Sequence, residues 1–294
     1  MSIVQKKVTL FDVVLYIMLG ILTFIFIYPI WMEIMTSFSD QEIMASRPVY
    51  LMPYGFSLEN YAYLFDHSDI WNYYKNTIVY ALTGCVLMLI VTTLAAYPLS
   101  IKGFKGKKLV TVFLTITMFF GGGQIPYYLL IRNLGMMDTI WVIIIPSAIS
   151  AYNCIVFKTF FLNIPDSLSE SAYLDGANHL QVLWYIIVPL SKALLATFSL
   201  FYIVGKWNMY MENILYLKQP RQTIQVFLQQ AIGNVRLTLE SSHDTAKIIE
   251  LSASVSPKGV QAAAVMLTIT PILCVYPFLQ KHFAQGVLVG SIKA

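Results

Sequence analysis

The sequence predicts an all-α, polytopic membrane protein, and three observations carry that prediction. Of its 294 residues 57% are apolar and only 12% are charged, about half the charged share of a soluble globular domain. The mean hydropathy is +0.67. Six windows of about 20 apolar residues lie along the chain, each long enough to cross a hydrocarbon core as a helix. A soluble monomer and a disordered chain are therefore excluded. The formal net charge of +4 is too small and too scattered to argue for nucleic acid.

The windows cover residues 13–34, 77–99, 109–131, 140–161, 183–204 and 260–279. The first follows Lys6 and Lys7, as a secretory signal would, but it is too long for a signal core. No A-x-A cleavage pattern follows it, so an uncleaved span is expected. Total Lys and Arg divide almost evenly between the two sides, so the short loops decide orientation. Between the second and third windows, residues 101–108 hold Lys102, Lys105, Lys107 and Lys108. Lys6, Lys7, Lys281 and Lys293 share that side, which predicts cytoplasmic N and C termini. Residues 1–75 then form the first helix and an outer loop. Residues 76–285 form a five-helix core with a cytoplasmic loop at 162–182 and an outer loop at 205–258, and 286–294 form a cytoplasmic tail.

Within the third window Gly121, Gly122 and Gly123 precede Gln124 and Pro126, a combination that weakens or breaks a helix. In the second outer loop Ile224, Phe227, Leu228, Ala231, Ile232 and Val235 recur at the spacing of one helix face. That helix rests on the span ends or membrane surface, or docks an external partner. Residues 239–258 are polar and Ser-rich and read as a mobile linker. Cys85, Cys154 and Cys274 sit singly in apolar runs and read as small core residues. The four histidines form no close ligand pair and no phosphate-binding G-x-x-x-x-G-K-[ST] is present. Zinc-dependent hydrolysis and ATP hydrolysis by this chain are not expected, so any energy it uses must be supplied by something else.

The segment from Asn163 to Leu180 carries the most information. Pro165, Asp166 and Ser167 are helix-start residues, the side-chain oxygens being suited to cap free N–H groups. Glu170 falls in the first turns, where the helix dipole favours a negative charge. Gly176 allows a turn or close approach that a side chain would block. A second amphipathic stretch then enters the fifth window at Pro189. A short exposed helix of this kind suits a partner's groove.

Glu170, Ala172, Gly176, Ile186 and Pro189 together resemble the EAA motif of ABC-importer permeases, E-A-A-x3-G followed after nine residues by I-x-L-P. The sequence departs from it at Ser171, where the family has Ala, and at Val188, where it has Leu. Tyr28-Pro29-Ile30, Gly205-Lys206-Trp207-Asn208, Tyr276 to Lys281 and Gly286 to Ala294 are similar to the carbohydrate-uptake, maltose-type permeases. Within these the chain looks most like the lipoprotein-associated and alginate-type oligosaccharide permeases, many of which end in Gly where this chain has Ala294. The resemblance implies a type I ABC-importer permease fold in a bacterial cytoplasmic membrane. It implies ATPase coupling through Glu170, Ser171, Ala172, Asp175, Gly176 and Ala177, with ATP and Mg bound by partner subunits and no cofactor on this chain. The implied partners are a second homologous permease, two cytoplasmic ATP-binding subunits, an extracytoplasmic solute-binding protein, an oligosaccharide and membrane lipid. Residues 290–294 have two readings, a tail reaching between the ATPases or a frayed end.

A sugar site needs aromatic platforms beside amide or carboxylate groups. Tyr152 and Asn153 lie midway along the fourth window, where a polar amide in lipid needs a cavity or a helix partner. Trp207 and Asn208, with Tyr210 and Glu212 beyond, lie just outside the fifth, where an interfacial aromatic belt is the plainer reading. Gln124, at the broken helix, is a pathway candidate because such breaks often line transporter cavities. Glu33 and Lys192, near span ends, read as snorkelling side chains. Arg132 and Lys206 would suit an acidic sugar or serve as interface anchors, so a neutral and a uronate-containing oligosaccharide both remain open. A permease for a non-sugar solute, a stand-alone channel and an intramembrane enzyme are the competing readings. The enzyme lacks clustered acids or a metal pair, and the channel has no use for a docking helix.

Overall fold

The protein is described by a computed structural model covering residues 9–44, 49–67, 69–240 and 258–274. Among these residues there is no β-strand, only an isolated antiparallel bridge between Ser39 and Phe56. The main helices are α1 (Leu10–Ser37), α2 (Glu59–His67), α3 (Ile70–Ser100), α4 (Lys107–Phe119), α5 (Gln124–Asn133) and α6 (Ala151–Leu162). There follow α7 (Asp166–Leu174), α8 (His179–Leu190), α9 (Lys192–Trp207), α10 (Met211–Tyr216), α11 (Ile224–Glu240) and α12 (Lys258–Cys274). They fall into two compact units, one drawn from residues up to 69 and 228–270, the other centred on 70–227.

In the first unit α1 begins with a capping box. The Thr9 hydroxyl accepts from the Asp12 backbone N–H, and the Asp12 carboxylate accepts from the Thr9 N–H at 2.8 Å. None of the most apolar stretch of α1 is buried among the described residues. Beyond it, Asn60 is fully buried and its amide donates to the carbonyls of Ser37 and Ser39, both at 3.2 Å. Phe38 stacks on Phe56 with ring centroids 5.5 Å apart.

The second unit is built on α3, which packs along α6 and α9. Its core joins Met88, Ala96, Tyr97 and Leu99 of α3 to Cys154, Phe157 and Phe161 of α6 and Phe198 of α9. Phe157 lies edge-on to Phe198, with centroids 5.0 Å apart. The α3–α9 contact is close because residue 84 is glycine. A methyl group there would overlap the Tyr202 hydroxyl, which is held by the Ser147 hydroxyl at 2.7 Å.

Among the described residues two helices, α1 and α3, are long and apolar enough to cross a membrane, and up to four spans result if each bent pair is one span. The middle windows are not straight helices. The third divides at Gly121–Gly123 into α4 and α5, inclined at 114°. The fourth begins as a single turn, Trp141–Ile144, and resumes as α6 only after Pro146, whose missing N–H breaks the ladder. The fifth is α8 plus α9, bent by 78° at Ser191, with a π-helical turn over Leu183–Ile187. The sixth is α12, and its end at 275–279 lies outside the described residues.

The striped segment after 223 does form a helix, α11, but its first turn is part of the protein core. Ile224 and Val226 are fully buried, the Ile224 N–H donates to the Thr77 hydroxyl at 2.9 Å, and Phe227 packs on Tyr73. The polar segment expected as a linker is helical at both edges, Leu239 and Glu240 ending α11 and Lys258 opening α12; residues 241–257, like the tail 286–294 and Tyr276 to Lys281, lie outside the described residues. Cys85 and Cys154 are buried as expected, whereas Cys274 is exposed.

Candidate functional site

The loop between α6 and α8 is a nine-residue helix, α7, with its inner side resting on the core. It starts differently from the sequence expectation. Pro165 itself occupies the N-cap position, and no side chain caps the helix. The Asp166 carboxylate instead forms an ion pair with Lys102, in the basic loop that follows α3. Hydrogen bonding to Asp166 raises the Lys102 pKa, with a smaller contribution from the charge of Glu170, so Lys102 stays charged across the neutral range.

The end of α7 explains the glycine. Gly176 has φ +87°, a left-handed conformation that costs a side-chain-bearing residue. Its N–H donates to the Tyr173 carbonyl at 3.1 Å, and the Ala177 N–H donates to the Ala172 carbonyl at 2.9 Å. This pair of bonds is a Schellman cap. A methyl group at residue 176 would meet nothing within 4 Å, so the turn, not close approach, requires glycine. Ala172 and Ala177, bracketing the cap, pack against the core beside Ile164. Larger side chains at those two positions would lift the helix off its seat.

Glu170, Ser171 and Asp175 lie on the exposed side. Leu168 and Leu174 are exposed there too, Leu174 by 89%, an apolar projection with no seat among the described residues. Tyr173 ties the helix down: its hydroxyl lies 3.2 Å from the Tyr97 hydroxyl and 2.7 Å from His179 Nδ1. The connection to α8 is closed by a second capping box, in which the Asn178 side chain accepts from the Gln181 N–H at 2.9 Å and its N–H donates to Gln181 Oε1 at 2.7 Å.

The pathway candidates are dispersed over three helix ends. Gln124 is exposed and opens α5 after Gly123. Tyr152 and Asn153 lie in the first turn of α6, not midway along a continuous span; Tyr152 is exposed and Asn153 half-buried. Trp207 is buried, its ring 6.3 Å from Tyr74, while the amide of Asn208 donates to the Val204 carbonyl at 3.0 Å and so caps its own helix. Lys206 is neither an interface anchor nor an open cation. It is buried, donates to the Ile143 carbonyl at 2.9 Å and lies over the Tyr202 ring.

Residues 6–289 match the family described as binding-protein-dependent transport system inner membrane component. The chain belongs to that family. This permease is 37% identical over 290 residues to the polygalacturonan/rhamnogalacturonan transport system permease protein YtcP of Bacillus subtilis (strain 168), covering 98% of this chain and 99% of that protein. It is also 37% identical to protein LplC of the same organism, covering 98% of this chain and 96% of that protein. Among solved structures it is similar to a chain of a bacterial ABC transporter involved in the import of the acidic polysaccharide alginate. The TM-score is 0.84 at 30% identity, covering 96% of this permease and 100% of that chain.

Several residues of the permease gain a part in the site only from its structure. Tyr97, Lys102 and His179 tether α7 from positions that no local motif marks. Tyr127 lies one turn after Gln124 and is half-exposed, packed edge-on to Tyr216 at 6.3 Å while Tyr128 stacks on the same ring. Burial raises the Tyr216 pKa, as do the nearby Glu212 and Tyr128. An aromatic three residues after an amide on a broken helix was the available signal for Tyr127.

Proposed function

We propose that this permease forms half of the translocation pathway of an ABC importer for an oligosaccharide, one containing uronate units. The observation that carries the coupling role is α7: a capped helix, seated on the core by its alanines, that presents Glu170, Leu168, Leu174 and Asp175 outward. Such a projection fits the cleft of an ATP-binding subunit, which would bind the ATP and Mg. Closure of two such subunits would move α7 with the core beneath it, and the cavity would alternate between outward- and inward-facing states. A second homologous permease completes the pore, and an extracytoplasmic solute-binding protein delivers the sugar.

Six crossings with cytoplasmic termini are part of this reading. The third and fifth crossings are bent helices, and the Lys102–Asp166 pair supports a single membrane face for the basic loop and α7. The uronate assignment rests on the acidic polysaccharides named for YtcP and for the alginate transporter. Gln124, Tyr127, Tyr152, Asn153, Trp207 and Asn208 are the proposed pathway residues, with Trp207 acting through packing. Purification of the tagged permease in mild detergent tests the assembly. Recovery of an ATP-binding subunit, a second permease and a binding protein that takes up galacturonate- or mannuronate-containing oligosaccharides is the expected result. Recovery of the folded chain alone would overturn the coupling assignment, and a binding protein specific for a non-sugar solute would overturn the substrate.

A further inference from the structure

Among the described residues, an open, shallow cavity of about 890 Å³ with a mostly apolar wall lies apart from α7 and the pathway candidates, between the start of α4 and α6. Its cations come from two helices. Lys107 and Lys108 stand in the first turn of α4, and Lys158 reaches across from α6 to donate to the Thr111 hydroxyl at 3.0 Å. No Asp or Glu lines the cavity, and Asp166 is engaged by Lys102. The N-cap of α4 is Gly106, with φ 91° and no side-chain cap, so the positive end of the helix adds to the same field. The cavity wall then turns apolar through Leu109 and Val112. Beyond it Leu109, Phe113 and Ile116 lie at i, i+4 and i+7 on one side of α4, exposed by 75%, 66% and 49%.

We propose that this cavity binds the anionic headgroup of a membrane phospholipid, the phosphate seated among Lys107, Lys108 and Lys158 and an acyl chain laid along Leu109, Phe113 and Ile116. The charge is complementary to a phosphate and to nothing cationic. The apolar track that continues from the lysines matches a hydrocarbon chain, which free phosphate lacks. Basic pockets between helices at a membrane surface are suited to such headgroups. The site stands independently of the coupling assignment, because it requires only that the start of α4 lie at the bilayer surface.

Native mass spectrometry of the intact, detergent-purified transporter tests this, with dioleoyl phosphatidylglycerol, dioleoyl phosphatidylcholine and inorganic phosphate as separate titrants. Phosphatidylglycerol should be retained in preference to phosphatidylcholine. K107Q/K108Q should lower that retention by about tenfold or more, and K107R/K108R should restore it. K105Q removes the same charge from the same loop outside the cavity and should leave retention unchanged. Equal retention of the two lipids, or an equal loss in K105Q, would overturn the site in favour of diffuse surface charge. Displacement of the lipid by inorganic phosphate would overturn the lipid assignment in favour of a soluble anion. Cross-linking of an L109C variant to the second permease, with no lipid retained, would assign the cavity to a protein contact instead.

Discussion

Gly176 and Glu170 serve the same loop for different physical reasons. Gly176 is set by backbone conformation, its φ of +87° closing the Schellman cap. A residue bearing a Cβ there costs about 1–2 kcal/mol and leaves the carbonyls of Ala172 and Tyr173 seeking new partners. Gly176→Leu should therefore leave membrane insertion intact while lowering recovery of the ATP-binding subunit and transport by at least about tenfold, a loss of about 1.4 kcal/mol; co-purification and uptake in vesicles measure both. Glu170 is set by charge and exposure: it is exposed, and its charge reaches Lys102. Glu170→Lys should preserve the fold and abolish coupling. Normal transport by that variant would remove Glu170 from the interface. Glu170, Ala172 and Gly176 were legible in the sequence because each serves a local need: an exposed charge, a small side chain and a turn. Asp166 was misread as a cap because its partner, Lys102, is distant along the chain.

At the scale of elements, α7 is pinned at both ends. Lys102–Asp166 holds its start and Tyr97–Tyr173–His179 its end. The ion pair is exposed on both sides, so it orients the helix more than it stabilises the protein. Tyr173→Phe removes both hydroxyl contacts, each worth about 0.5–1.5 kcal/mol net. The variant should still bind the ATPase but show weaker stimulation of hydrolysis by the loaded binding protein. Unchanged stimulation would reduce Tyr173 to packing. The α3–α9 contact makes a separate prediction. Gly84→Val drives a branched side chain into Tyr202 and should destabilise the protein by about 1–3 kcal/mol, read as a lower melting temperature in detergent with no change in topology. Periodicity revealed the apolar windows and the stripe of α11, yet not the bends. Pro189, Ser191 and Lys192 interrupt the fifth window without fixing an angle, and only the structure of α8 and α9 shows that the run turns there by 78°.

For the whole molecule, orientation is the testable claim. Cysteines introduced at Lys105 and Ser169 should react with an impermeant maleimide only from the cytoplasmic side, and one at Lys218 only from outside. Labelling of positions 105 and 169 from opposite sides would contradict the shared face implied by Lys102 and Asp166. By itself the sequence determined that the chain lives in a membrane, where its apolar windows fall, and which short loop carries the coupling motif. Those properties depend on composition, run length and local backbone chemistry, all of which are written in neighbouring residues. The tertiary structure alone decided that Lys206 is consumed by the Ile143 carbonyl. It also decided that Lys158 joins Lys107 and Lys108 around one cavity. Each of these is a contact between residues far apart in sequence, set by which helices pack together, and no local pattern encodes it.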